Sequence, residues 1–208
     1  MTTEACLAHW RGAHAAIGAR LPGVRSYVQN HGVLDHGRFL LGYPGFDIMP
    51  ELDWDDVAAM DAAIDSPVHE QDSIDDEAHF IDVTRTGYAV TARRVISDTE
   101  PTTGAVKLIT LLRRSSRAEA DALGHALTGA YADAVGQATA ARHEVLVALP
   151  ERDGRPPYAV DAVDMIWFAD PREAVAWVGS EQAARAAWHL AGVALGAERL
   201  VATPHKIV

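Results

Sequence analysis

The first 31 residues constrain the fold most strongly, because a helical pattern, a turn and a strand pattern follow one another there directly. Apolar side chains occur at the spacing of one helical face: Leu7, Trp10, Ile17 and Leu21. The pair Pro22-Gly23 ends this pattern, and an alternating segment follows it. We therefore predict a helix from about Thr3 to Arg20 and a strand from about Val24 to Val33.

The rest of the chain alternates strand and helix patterns in two similar halves. In the first half we predict a strand, a helix that ends near Ser66-Pro67, and a β-rich stretch: Phe46–Leu52, Trp54–Ile64 and Phe80–Ile96. In the second half we predict a strand, a helix, two strands, a helix and a strand: Val106–Leu112, Arg117–Val135, Ala141–Leu149, Tyr158–Phe168, Arg172–Leu195 and Leu200–Val208. This pattern is typical of the α+β class.

Two local matches indicate a degenerate tandem repeat. Residues 53–59 align with residues 170–176, and residues 92–96 align with residues 203–207, so both halves have their elements in the same order. We predict a first repeat, a polar linker and a second repeat: residues 1–98, 99–104 and 105–208.

The two halves differ at their beginnings. The second half begins with a strand, whereas the first half begins with the helix, so the first repeat lacks its first strand. A late start of the chain, an incomplete sheet, and repair by another segment would each explain this difference. We favour a late start, because every later element of the repeat is present.

Charge and hydropathy exclude several classes of protein. A formal net charge of −11 disfavours nucleic acid and anionic lipid as partners. No apolar run is long enough to span a membrane, and no basic segment followed by an apolar run resembles a secretion signal, so we expect a cytoplasmic protein. The single cysteine, Cys6, cannot form an internal disulfide, and we expect it to be inert.

Alternation along two strands of the first half predicts which side chains share a face. On the first strand Val28 and Asn30 oppose one polar set: Tyr27, Gln29 and His31. On the next strand the apolar Phe46, Ile48 and Leu52 oppose a face that contains two acids: Asp47, Met49 and Glu51. We expect the faces with Val28 and with Ile48 to pack under the helices, so that the two opposite faces line a cavity.

These polar side chains have the composition of a proton-transfer site. We assign His31 as acid or base, Tyr27 as donor to an oxyanion and Asp47 as the group that orients the imidazole. The residues assigned to substrate binding are Trp10, Gln29, Asn30, Met49 and Glu51. A polar, water-filled seam between two sheets is the alternative interpretation of the same side chains.

His14 has two interpretations. It lies on the apolar stripe of the first helix, which favours a structural cluster with Trp10 and a hydrogen bond to Asn30. His9 and His14 are five residues apart and should diverge on an α-helix, unlike a zinc-binding pair. We therefore predict no metal ion, and no sequence feature indicates another cofactor.

Several of these residues carry a resemblance to a known family. The order of a His-Trp pair, a second histidine, Pro-Gly, a tyrosine and Asn-His resembles the opening of EthD-domain proteins: His9, Trp10, His14, Pro22, Gly23, Tyr27, Asn30 and His31. The segment from Asp75 to Asp82 resembles the acidic lead into the fourth strand of that family, with Asp76 or Asp82 capping or pairing. The resemblance adds His14 to the candidate catalytic residues.

The resemblance implies a fold and a range of activities. It implies two ferredoxin-like βαββαβ repeats that pair as an intramolecular dimeric α/β barrel. Relatives with this barrel include cofactor-independent isomerases, cyclases, dehydratases and oxygenases that act on aromatic or polyketide-like rings. We therefore expect an acid/base enzyme for a hydrophobic small molecule, with a non-catalytic binding protein beside an oxidative enzyme as the alternative.

The second half lacks counterparts of the polar residues in the first half. We expect it to be a structural partner that supplies an apolar wall. A further homodimer of the two-repeat chain is compatible with this fold.

Overall fold

The computed structural model describes residues 1–139 and 142–208. The chain forms two compact units that interleave along the sequence. The first unit contains residues 1–37, 46–86 and 204–208, and the second unit contains residues 38–45 and 87–203. The predicted boundaries at residues 98 and 105 concern sequence repeats, and they stay a prediction.

The first unit begins with the predicted helix, but a wider turn interrupts it. Helix α1 (Thr3–His9) continues into a π-helical turn (Trp10–His14) and then into α2 (Ala15–Gly18). The Thr2 side chain caps α1 by accepting a hydrogen bond from the backbone N–H of Ala5. The turn that follows contains glycine at φ 68°, as the Pro-Gly pair predicts.

Two antiparallel strands of the first unit carry the candidate site. Strand β1 (Ser26–Gly32) pairs with β4 (Ile48–Asp53) in a register that sets Tyr27 opposite Leu52. The backbone of Tyr27 also bonds to residues 207 and 208 at the end of the chain. Within the described residues β4 pairs with no strand other than β1, so the sheet of this unit ends at β4. The short strand β2 (Leu34–Asp35) follows β1.

The segment after β4 is more helical than the sequence predicts. It forms α3 (Val57–Ile64), a second π-helical turn (Val68–Ser73), α4 (Ile74–Phe80) and a 3₁₀ turn (Val83–Arg85). The predicted β-rich stretch from Phe80 was therefore wrong over its first half. Three consecutive acids, Asp75 to Glu77, lie in the first turn of α4, where carboxylates favour the positive end of a helix.

The second unit has the βαββαβ order of a ferredoxin-like fold, which confirms the α+β class. After the short β3 (Arg38–Phe39) and the strand β5 (Thr91–Ser97), its elements in chain order are β6 (Val106–Arg114), α5 (Ala122–Thr128), α6 (Ala130–Ala138), β7 (His143–Ala148), β8 (Ala162–Phe168), α7 (Pro171–Val178), α8 (Glu181–Trp188) and β9 (Ala194–Lys206). The antiparallel strand order is β9-β6-β8-β7-β5. Strand β9 begins in this unit, and its last residues belong to the first unit.

Both long helices predicted for the second half are broken. Gly129 separates α5 from α6, and Gly179 with Ser180 separates α7 from α8, where Ser180 caps the second helix. Strand β8 begins at Ala162 and not at Tyr158, and the predicted start of β7 at Ala141 lies outside the described residues. In the ranges that the structure describes, none of the helices is long and apolar enough to cross a membrane.

Candidate functional site

An aromatic stack in the first unit fixes one of the predicted catalytic residues. The rings of Trp10 and His31 lie 4.7 Å apart between centroids and are inclined by only 19°. Trp10 is 1% exposed and His31 is 8% exposed. Trp10 begins the π-helical turn, a feature that occurs frequently at functional sites.

A buried amide determines the tautomer of this imidazole. The Gln29 side-chain amide donates to the backbone oxygen of Trp10 at 2.7 Å and to the Tyr27 hydroxyl at 2.8 Å. A backbone oxygen only accepts, so the amide nitrogen of Gln29 must face it, and the amide oxygen faces His31 Nε2 at 3.0 Å. His31 therefore carries its proton on Nε2 and its lone pair on Nδ1.

His205 and Arg11 lie near the His31 ring, in addition to Trp10 and Gln29. The His205 ring meets the His31 ring edge-on, with 4.6 Å between centroids, and Arg11 donates to His205 Nε2 at 2.7 Å. Burial, together with His205 and Arg11, lowers the pKa of His31 from 6.5 to about 4. Burial and Arg11 also lower the pKa of His205. His31 is therefore a neutral imidazole at neutral pH.

The face predicted for β1 was wrong. Tyr27, Gln29 and His31 lie under the helices, as the contacts of Gln29 and His31 with Trp10 demonstrate. Tyr27 is 2% exposed and packs directly against Gly18 of α2, where an added Cβ would lie 2.6 Å from the ring. An aromatic ring can bury more apolar surface there than Val28 could, and the amide and imidazole find hydrogen-bond partners in the same layer.

The other polar residues lie on the opposite face of the same two strands. Asn30 donates to Glu51 Oε1 at 2.8 Å and to the backbone oxygen of Met49 at 3.0 Å. Ile48 packs against the cluster of Cys6, Trp10 and Phe80, as predicted for the apolar face of β4. The predicted site is thus divided between two faces, with Asn30, Met49 and Glu51 on one and His31 on the other.

His14 bonds to an acid and not to Asn30, which corrects the predicted structural cluster. His14 Nδ1 and His9 Nε2 each lie 2.9 Å from a carboxylate oxygen of Asp76, and both imidazoles lie beside the Phe80 ring. The expectation that His9 and His14 diverge was wrong because it assumed α-helical geometry. The π-helical turn adds a residue per turn, which brings positions five apart onto one side.

The Asp76 carboxylate is held ionised by these two histidines. Burial raises its pKa, but the hydrogen bonds from His14 and His9 outweigh burial and leave the pKa below the usual range. The interpretation that Asp76 forms a pair is confirmed. Its carboxylate fixes the orientation of the His14 imidazole, which is the arrangement of a base and its orienting acid.

The side-chain amide of Gln29 holds the His31 imidazole, and the orienting role of Asp47 stays a prediction. Asp47 accepts a hydrogen bond from the Thr3 hydroxyl at 3.2 Å. Burial first, and the Asp47 charge second, raise the pKa of the Cys6 thiol, which is the condition of an unreactive cysteine.

Sequence reasoning missed Arg11 and His205. Arg11 is an exposed helical residue, and His205 lies almost two hundred positions further along the chain, in the last strand. No local periodicity connects two such residues. For residues 1–139 and 142–208, no group of three or more histidine, cysteine, aspartate or glutamate side chains is arranged to hold a metal ion. The expectation of no cofactor stays a prediction.

Comparisons with known proteins identify relatives of the first half and of the fold. The EthD domain family model matches residues 1–84. No functionally characterised protein in the curated set matches the sequence. A crystal structure of an anthrone oxidase-like protein aligns at a TM-score of 0.65 and 13% identity, covering 98% of this chain and 88% of that one.

Two further solved structures are similar. A putative monooxygenase from Lactobacillus acidophilus aligns at a TM-score of 0.55 and 11% identity, covering 100% of this chain and 90% of that one. A dimeric protein of unknown function and ferredoxin-like fold from Bacteroides fragilis covers 50% of this chain and 96% of its own at a TM-score of 0.35 and 14% identity. At these identities the first two structures establish similarity of fold alone.

Proposed function

We propose that this protein abstracts a proton from a carbon acid on an aromatic or polyketide-like small molecule, as the match of residues 1–84 to the EthD domain family model suggests. The observation that supports this function best is the neutral His31 imidazole, which stacks on the Trp10 ring and donates a hydrogen bond to the Gln29 amide oxygen. A base must be unprotonated before it can act, and burial keeps His31 in that form at neutral pH. A pKa of about 4 also makes the resting imidazole a weak base, so the proposed step depends on the negative charge of the developing enolate to stabilise the imidazolium.

The proposed step begins with the lone pair on His31 Nδ1, because Nε2 is already bonded to Gln29. Nδ1 takes a proton from a ring carbon next to a carbonyl group, and the electron pair of the broken C–H bond passes into the ring system as an enolate or phenolate. The imidazole becomes an imidazolium. The Arg11 guanidinium, which also bonds to His205, supplies the positive charge that stabilises the developing oxyanion.

Tyr27 and Gln29 act as positioning residues in this proposal. Tyr27 accepts a hydrogen bond from Gln29, and burial raises the pKa of its phenol despite hydrogen bonds from Gln29 and Trp10. Tyr27 is only 2% exposed, so in this proposal it does not donate to an oxyanion of the substrate. Its hydroxyl instead supports the Gln29 amide, which holds His31. The substrate-binding role predicted for Asn30, Met49 and Glu51 is not part of this site, because they lie on the other face.

The fate of the enolate separates two candidate reactions. Reprotonation at another atom, or loss of a leaving group, gives an isomerase, cyclase or dehydratase and needs no oxidant. Reaction of the enolate with dioxygen gives an oxygenase, and the names of the two similar structures, anthrone oxidase-like protein and monooxygenase, favour this second candidate. Both reactions share the deprotonation by His31.

Deuterium exchange measures this shared step directly. Anthrone is a ring ketone with acidic C–H bonds, and we expect the protein to accelerate exchange of these hydrogens in D2O without oxygen, as followed by NMR. His31→Ala should reduce the acceleration by a factor on the order of 100 or more while anthrone still binds. His36, whose side chain is 97% exposed, provides the matched control, and His36→Ala should behave as the wild type.

Bound anthrone without accelerated exchange would refute the catalytic function and support the binding protein as the alternative. Admission of dioxygen after the exchange measurement then separates the two reactions, because only the oxygenase consumes it in proportion to product. Gln29→Leu should lower kcat more than it changes KM, since it releases the imidazole without removing it.

A further inference from the structure

The second unit contains a buried relay of three polar side chains that the sequence did not reveal. The Tyr131 hydroxyl of α6 donates to Asp164 Oδ2 at 2.6 Å, and His143 Nε2 donates to Asp164 Oδ1 at 2.6 Å. Asp164 is 1% exposed and His143 is 2% exposed. Burial and the Asp164 charge raise the pKa of Tyr131 well above its usual value, so this residue remains a phenol.

Tyr131 forms part of the wall of a cavity between the sheet and the helices of this unit. The cavity has a volume of about 260 Å³. Most of its lining is apolar and includes Leu108, Leu112, Trp177 and Leu190. Three lining side chains are polar: Thr110, Tyr131 and Arg199. This combination of an apolar body with a few polar groups is typical of a small-molecule site.

Three polar residues beside the cavity lie in a row across three strands: Asp164, Thr110 and Arg199. Thr110 of β6 is directly opposite Asp164 of β8 on one side and Arg199 of β9 on the other. Residues paired in this way share one face of the sheet and lie within contact distance of their neighbours. Asp164 is covered by Tyr131 and does not line the cavity, whereas Thr110 and Arg199 do.

The side chains of Thr110 and Arg199 form no hydrogen bond or ion pair with another described residue, although the Arg199 charge acts on Tyr131 and lowers its pKa. The Thr110 side chain is buried, at 6% exposure, yet no hydrogen bond to its hydroxyl is formed by any described residue. The exposed Arg199 guanidinium likewise forms no ion pair within residues 1–139 and 142–208, although the chain carries a net charge of −11. Thr110 and Arg199 are cross-strand neighbours that both line the cavity, and a hydroxyl together with a guanidinium can bind a carboxylate.

We propose that this cavity binds a small apolar carboxylate, with its carboxylate on Arg199 and Thr110 and its hydrocarbon body against Leu108, Leu112 and Trp177. Arginine recognises a carboxylate through two parallel hydrogen bonds, which a single hydroxyl neighbour can supplement. The relay of Tyr131, Asp164 and His143 holds one wall of the cavity in place. Asp164 accepts a hydrogen bond from the Tyr131 hydroxyl and another from His143 Nε2, so the Tyr131 side chain has a fixed position. This site is separate from His31 in both residues and chemistry.

Calorimetric titration of the full chain with 2-naphthoate, benzoate and octanoate tests the proposal. We expect saturable binding of at least one of these acids. Arg199→Gln should weaken the binding by about tenfold or more, and Thr110→Val, which keeps the shape and removes the hydroxyl, by a smaller factor. The neutral 2-naphthalenemethanol should bind the wild type and Arg199→Gln equally.

Two matched controls assign the binding to the cavity. Arg185→Gln removes the same charge from an exposed site on α8, where Arg185 pairs with Glu181, and should leave the affinity unchanged. His31→Ala should also leave it unchanged, which separates this site from the proposed active site. Absence of saturable binding for all three acids, or equal affinity of the wild type and Arg199→Gln, would overturn the proposal.

Discussion

The two units bury histidine in opposite ways. In the first unit His31 has an amide, an aromatic ring and a second imidazole as neighbours, with Arg11 behind them. In the second unit His143 has a carboxylate, Asp164, at 2.6 Å. Both imidazoles lie beneath helices on a β-sheet. The first is kept neutral, and within residues 1–139 and 142–208 no hydrogen bond to its Nδ1 is observed. The second is bonded to an acid and through it to Tyr131.

The partner of a buried imidazole therefore decides its role more than its burial does. A neutral amide can orient an imidazole without supplying charge, so desolvation and nearby cations determine its protonation. A carboxylate compensates the charge of an imidazolium and holds the ring as part of the fold. The first arrangement suits a base, and the second suits a rigid wall.

The largest expected effect comes from breaking the relay of the second unit. Asp164→Ala leaves the Nε2 proton of His143 and the Tyr131 hydroxyl buried without their acceptor. We expect the free energy of unfolding to fall by about 3 kcal/mol or more, as measured by urea denaturation. The control, Asp133→Ala, changes an exposed acid on α6 and should cost less than about 0.5 kcal/mol. Equal losses in the two variants would contradict the buried relay.

A smaller effect is expected at the close contact beneath His31. Gly18→Ala would place a Cβ 2.6 Å from the buried Tyr27 ring, and we expect a loss of about 1–3 kcal/mol in the free energy of unfolding. Nothing lies within 4 Å of a Cβ added at Gly12 in the same helical segment. Gly12→Ala should therefore be neutral or stabilise by up to about 1 kcal/mol. A tolerated Gly18→Ala would show that Tyr27 is not packed against α2.

Removal of the acid beside His14 should have a moderate effect. Asp76→Asn weakens two hydrogen bonds, from His9 and His14, and we expect a loss of about 1–2 kcal/mol at pH 7. Because the folded-state pKa of Asp76 is depressed, its stabilisation is present above the unfolded pKa and is lost as the pH falls through the folded pKa. The difference between wild type and variant should therefore shrink below about pH 4. Asp75→Asn, an exposed neighbour, serves as the control in the same denaturation series.

The smallest effect is the pH dependence that His31 contributes. The unfolded chain binds a proton to this residue below about pH 6.5, whereas the folded chain does so only near pH 4, so stability decreases as the pH falls from 6.5 towards 4. His31→Gln should remove this part of the slope. Nitrogen-15 NMR should detect a neutral imidazole, protonated on Nε2, throughout the range from about pH 5 to 8. Titration of His31 near its ordinary pKa would contradict the proposed environment.

Much of the fold could be predicted from local patterns. The first helix, the Pro-Gly turn, both strands after it and the apolar face of β4 follow from periodicity, because these elements bury one side against a single layer. The breaks at Gly129 and Gly179 and the helix α4 were not predicted. Glycine inside an apolar helical pattern is often tolerated, and the acidic start of α4 resembles a loop in composition.

The candidate site could be predicted only as a set of residues. His31, Tyr27, Gln29 and Trp10 do come together, as their proximity in sequence and their residue types indicated. The prediction of which face of β1 packs under the helices was wrong. This strand carries polar and aromatic side chains on one side and mixed side chains on the other, so alternation alone does not determine which side meets the helices. Arg11 and His205 required the path of the chain to be known.

Most of the elements, the class of fold and the family resemblance follow from the sequence, since all three depend on short-range patterns of side chains. Which partner each buried imidazole has depends on the tertiary structure. It placed His205, at the end of the last strand, beside His31, and it placed Tyr131 over Asp164. Hydrogen bonds and desolvation act over a few ångströms in space, and residues far apart along the chain supply them, so the chemistry of these histidines follows from the folded arrangement.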